Sequence, residues 1–113
     1  MNYFEWLLIG HLAGDYLLQN RWMAENKSRR FLPLFLHSIV YSAVVGAFSL
    51  PAGGVNISGM AIIFFSHIIL DRRTVVQWWL TNINKSPDIF WLQVMVDQTF
   101  HLLILALVTY LSF

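Results

Sequence analysis

Three times in this chain a histidine and an aspartate stand four residues apart: His11 with Asp15, His67 with Asp71, and Asp97 with His101. The fourth histidine, His37, stands alone, so every histidine of the sequence falls in a stretch that is otherwise apolar. One turn of helix separates i from i+4, which puts each pair on one face, about 6 Å apart along the axis. Ionisable groups in such surroundings are costly unless they pair or bind something.

Imidazole and carboxylate together suit zinc, manganese, iron or nickel better than magnesium or calcium, which prefer shells of oxygen. Seven residues are candidate metal ligands: His11, Asp15, His37, His67, Asp71, Asp97 and His101. That exceeds the three or four protein ligands of a single zinc, whereas two ions about 3.5 to 4 Å apart would use them. Some of the seven are alternatively partners of a ligand, as when an aspartate holds the far nitrogen of a metal-bound imidazole. Gln19 and Gln98 extend the same polar stripes and are candidates to orient ligands or a water.

The chemistry expected of such a centre is hydrolysis. A metal, with zinc first and manganese or iron as alternatives, activates water toward a phosphoryl or acyl group. Asp15, Asp71 or Asp97, whichever is not a ligand, serves as base. Arg72 or Arg73, next to Asp71, would clamp the anionic group of the substrate, although topological anchoring is the competing role for both. Lys27, Arg29 and Arg30 read as topology signals and lipid-headgroup contacts.

The elements that must position these residues follow from composition. Hydrophobic residues make up 58% of the 113, and charged residues 12%, too little polar surface for a water-soluble bundle. Four apolar runs have the length of a membrane span. They cover about 3–23, 31–50, 57–80 and 89–113, and the short connectors between them favour antiparallel neighbours. The expectation is all-α: one domain, 1–113, forming a four-helix antiparallel transmembrane bundle. There is no cysteine, which excludes thiolate ligands and disulfides. The opening "MNYFEWLLIG" carries an acid and no base, so a cleavable signal peptide is not expected.

Basic residues set the orientation. Arg21, Lys27, Arg29 and Arg30 surround the first connector, and Arg72, Arg73 and Lys85 the third. Both termini are therefore expected outside. Trp22, Trp78, Trp79 and Trp91 fall near the same cytoplasmic boundary, as an interfacial belt would. The third run is interrupted by Arg72 and Arg73, so either they snorkel or its last turns lie along the interface.

The order of the pairs agrees with this topology. His precedes Asp on the first and third helices, which run inward, and Asp97 precedes His101 on the fourth, which runs outward. Facing one another, His11, His67 and His101 form an outer layer and Asp15, Asp71 and Asp97 an inner one. His37 falls near the aspartates.

The set "HLAGDYLLQ", a lone His on the second helix, "SHIILD" and "DQTFH" spans essentially the whole chain. It resembles a family of small bacterial membrane proteins known only as a domain of unknown function, and every motif position of that family is present. The resemblance implies a multi-pass protein of the bacterial inner membrane with an intramembrane metal site. It also implies a distant similarity to membrane-bound metal-dependent hydrolases.

The function expected is that of a metal-dependent hydrolase acting on a membrane-associated phosphoryl or acyl substrate. The alternative is a protein that binds or transports metal ions or protons without hydrolysis. A haem-holding bundle is a third reading, weakened by the acid beside three of the four histidines. The expected partners are the lipid bilayer and a lipid-linked or anionic substrate, with a homo-oligomer as a candidate state and no nucleic acid.

Overall fold

Three asparagines decide where helices begin. Asn2, Asn20 and Asn56 each turn a side-chain oxygen onto the backbone N–H three residues ahead, at 2.8, 2.8 and 2.7 Å, satisfying one of the donors a helix start leaves open. The computed structural model describes residues 1–111. Its elements are α1 (Tyr3–Leu12), a π-helical turn (Ala13–Leu17), α2 (Arg21–Asn26), α3 (Phe31–Ser49), a 3-10 turn (Leu50–Ala52), α4 (Ile57–Asp71), α5 (Thr74–Asn82) and α6 (Phe90–Leu111). Among the described residues every regular element is helical. The predicted end of the last helix at Phe113 lies outside them.

Two predicted helices are broken, each for a local reason. The run expected over 3–23 loosens into the π turn, closed by Leu18 N–H on the Ala13 carbonyl at 3.0 Å, and Asn20 then caps a separate helix. The run expected over 57–80 stops at Asp71, because Arg73 adopts a left-handed backbone (φ 68°) that no α-helix accommodates. The single run expected over 57–80 is thus two helices, α4 and α5.

Helices α1, α3, α4 and α6 close a ring, α1 and α4 each lying against both α3 and α6. A β-carbon at Gly10 would stand 2.9 Å from Val45 Cα, and one at Gly14 3.0 Å from Tyr41 Cδ2. Gly10-x-x-x-Gly14 is thus the small-residue seam that lets two helix backbones approach. Because residue 10 meets 45 while 14 meets 41, α1 and α3 are antiparallel.

The inside of the ring is layered in steps of four residues. Leu7, Val45, Ile63 and Leu105 are buried together with Val108 in an apolar cluster. One turn along each helix come His11, Tyr41, His67 and His101, and one turn further Asp15, His37, Asp71 and Asp97. Outside, the bundle is apolar: Leu17, Ile57, Phe65, Phe90 and Leu103 are exposed. Two segments, Phe31–Ala52 and Phe90–Leu111, are long and apolar enough to cross a membrane, while apolar Ile57–Asp71 is shorter.

Candidate metal centre

The π turn carries Asp15 into the bundle, where it meets α3 and α4. Asp15 Oδ1 accepts a hydrogen bond from His37 Nε2 at 3.1 Å and lies 3.8 Å from His67 Nε2. Asp71 Oδ2, on the last turn of α4, lies 2.9 Å from His67 Nε2 and 3.2 Å from His37 Nε2. All four residues are buried. Their ligand atoms lie within 4.8 Å of one another.

Those separations resemble the edges of a coordination polyhedron. Four N and O ligands about 2.1 Å from a tetrahedral ion stand about 3.4 Å apart, and the four distances run from 2.9 to 3.8 Å. The chemistry of the donor set fits the same description. His67 Nε2 is buried and not aligned for a hydrogen bond, and it stands 2.9 Å from Asp71 Oδ2. Imidazole nitrogens and carboxylate oxygens gathered out of water are costly, and a cation shared among them would offset that cost.

A second group shares Asp71 and adds Asp97 and His101. Asp71 Oδ1 lies 3.1 Å from His101 Nε2, while Oδ2 faces His37 and His67. One carboxylate therefore turns a separate oxygen to each group, as a bridging ligand does. The far nitrogen of His101 donates to the Asp97 backbone carbonyl at 2.7 Å, the kind of outer contact that fixes a ligand ring.

His11 was expected among the ligands, and the structure does not bring it into either group. Its Nε2–H donates to Gln98 Oε1 at 2.6 Å and its Nδ1 accepts from the Tyr41 hydroxyl at 2.8 Å, so both nitrogens are engaged. It lies beside the centre as a buried strut, with Nδ1 3.6 Å from Asp15 Oδ2. Gln98, expected to orient ligands or a water, donates its amide to Asp97 Oδ2 at 3.3 Å. Gln19 does not reach a ligand side chain and donates instead to the Asp15 backbone carbonyl at 2.9 Å. His37 lies among the aspartates, where its place in the sequence puts it.

Two residues of the centre escape a reading of the sequence. Tyr41 stacks on His67 with ring centroids 3.9 Å apart while holding His11. Its signal is position, four residues beyond His37. Lys27, expected only as a topology signal, folds back so that Nζ lies 3.1 Å from Asp71 Oδ2. Arg72 is exposed at the end of α4. Arg73 instead lines a cavity of about 150 Å³ together with Asp15, Gln19, Lys27, Asp97 and Gln98.

The histidine rings pack 4.8 Å (His37 and His67), 5.1 Å (His67 and His101) and 5.5 Å (His11 and His101) apart, which leaves no slot for a porphyrin. Fold and site together define a helical bundle built around a buried His/Asp cluster able to hold metal ions. The family model described as "Protein of unknown function (DUF3307)" matches residues 3–113, and the chain belongs to that family. Neither the curated proteins nor the solved structures yield a match.

Proposed function

We propose that this chain is a multi-pass protein of the bacterial inner membrane that holds two divalent ions, zinc being the expected metal, and hydrolyses a membrane-associated phosphoryl or acyl substrate. The observation that carries the reading is the convergence of Asp15, His37, His67 and Asp71, with Asp71 shared by Asp97 and His101.

The distribution of polarity supports the membrane. All four histidines, Asp15, Asp71 and Ser38, Ser42 and Ser49 are buried while many large aliphatic and aromatic side chains lie on the outside, the reverse of a water-soluble bundle. The 22 residues of α6 extend about 33 Å, enough for a hydrocarbon core of about 30 Å. In this reading α1 with its π turn and α4 complete four spans with both termini outside. α5, with Trp78 and Trp79 exposed, lies along the cytoplasmic interface.

In the bound state Asp15, His37, His67 and Asp71 hold one ion, and Asp71, Asp97 and His101 the other. Such ions supply Lewis acidity toward a phosphoryl or acyl oxygen and make water a stronger acid. The chain's own residues do the rest. Tyr41 and Gln98 fix His11, and the His101 ring is locked by the Asp97 carbonyl.

Transport is the weaker reading, because on the far side of the centre Leu7, Val45, Ile63, Leu105 and Val108 are buried in an apolar plug that offers an ion no polar path. The experiment that separates the two uses zinc-loaded protein in liposomes. Release of phosphate or fatty acid from phospholipid or polyprenyl phosphate, lost in Asp71→Asn, is the expected result. Zinc flux into the liposomes without hydrolysis would overturn the enzyme reading.

A further inference from the structure

The cavity beside the centre is lined by both signs of charge. Asp15 and Asp97 supply two carboxylates and Lys27 and Arg73 two cations, together with the amides of Gln19 and Gln98. Arg73 is its most unusual member. Its Nε and Nη2 are buried and have no hydrogen-bond partner, although a guanidinium is an obligate donor whose N–H groups are costly to leave unmade. Its backbone is held at φ 68°, a conformation uncommon outside glycine, asparagine and aspartate. A long cationic side chain is thus kept at a strained backbone position beside the cavity, with two of its donors unused.

We propose that this cavity binds the phosphoryl group of a phosphate monoester, with Arg73 as the fork and Lys27 as the second cation. This deepens the metal-dependent hydrolase reading and rests on it. A planar guanidinium presents paired N–H donors that match two oxygens of a phosphate, and an ammonium adds a compact charge. Two cations suit a dianion better than the single charge of a carboxylate. About 150 Å³ is well below the ~300 Å³ at which pockets begin to enclose a drug-sized molecule. The phosphoryl head therefore enters and the remainder of the substrate stays outside.

Asp15 and Asp97 make the binding conditional. With both carboxylates bare, their charge repels a dianion, and Lys27 is held on Asp71. Divalent ions on the aspartates remove the repulsion and compete with Lys27 for Asp71, freeing its ammonium for the phosphate. Anion binding therefore requires the metal, and Arg73 contributes to the anion without contributing to the metal.

The test measures binding of inorganic phosphate to detergent-purified full-length protein by calorimetry, with and without zinc. The zinc-loaded protein is expected to bind phosphate at least tenfold more tightly than the metal-free protein. Arg73→Asn, which tolerates the left-handed backbone, should lose at least tenfold in phosphate affinity with zinc content unchanged. Should that variant fail to fold, Arg73→Lys, which keeps the charge and loses the fork, provides the same comparison. A second arm places the zinc-loaded protein in nanodiscs of phosphatidylcholine with or without phosphatidic acid. Weaker binding of free phosphate when phosphatidic acid is present assigns the site to a lipid headgroup; unchanged binding assigns it to a free phosphate, and either supports the proposal. Zinc uptake with phosphate affinity equal in wild type and Arg73 variants overturns the phosphate site alone. Absence of zinc uptake overturns the metal centre and this site together.

Discussion

His67 Nε2 and Asp71 Oδ2 stand 2.9 Å apart inside the bundle, one turn from each other on α4, and do not hydrogen-bond. Together with His37 and Asp15 they offer ligand atoms that lie within 4.8 Å of one another, a set that a divalent ion could share.

Lys27 occupies a competing position. Its ammonium lies 3.1 Å from Asp71 Oδ2 with the side chain only 19% exposed, so an ion binding there must displace it. Lys27→Met is expected to raise zinc affinity about tenfold, about 1.4 kcal/mol and near the lower end of a charge-assisted hydrogen bond. Competition against a chromogenic chelator in detergent reads the change, and weaker zinc binding in the variant would contradict it.

The glycine seam gives a contrast between packing and site. Gly10→Ala drives a β-carbon toward Val45 Cα at 2.9 Å, a backbone atom that cannot swing away, and is expected to cost about 1–3 kcal/mol of stability. Gly14→Ala presses on the Tyr41 ring, which stacks on His67, so it should weaken zinc binding as well. Unfolding in detergent, followed with and without zinc, separates the two. Gly10→Ala should keep most of the zinc-induced stabilisation and Gly14→Ala should lose part of it.

How much of this was legible depends on which forces are local. The i, i+4 spacing of His and Asp survives folding because a helix fixes it, and the antiparallel order then sets which residues can share a layer. Tyr41 completes the histidine layer and His37 the aspartate layer, because α3 carries the same four-residue step without an acid. The breaks were harder to read. Apolar content continues through Leu17 and past Asp71, and what ends each helix is a backbone event, the π turn before Asn20 and the left-handed Arg73. The contact of Lys27 with Asp71 comes from a loop folding back, and both nitrogens of His11 are engaged by Tyr41 and Gln98, neighbours distant in sequence.

Topology is open to a direct test because the chain has no cysteine. Single cysteines at Ile57, 90% exposed at the start of α4, and at exposed Asn84 beyond α5 should label asymmetrically in intact cells. A membrane-impermeant maleimide is expected to reach Ile57→Cys and not Asn84→Cys. The reverse pattern would invert the orientation.

Zinc should also hold the fold together. A ligand bound at one hundred times its Kd stabilises by about 2.7 kcal/mol, so chelation is expected to lower the unfolding temperature of the wild type and zinc to restore it. His67→Ala, which removes a ligand from the four-residue group, should show a much smaller response.

Metal content tests the centre most directly. After expression in metal-replete medium, elemental analysis of detergent-purified protein should give about two ions per wild-type chain, about one for Asp97→Ala, and close to none for Asp71→Ala, whose carboxylate both groups share. Circular dichroism establishes that each variant is folded. Wild-type protein carrying no more metal than folded Asp71→Ala would contradict the account.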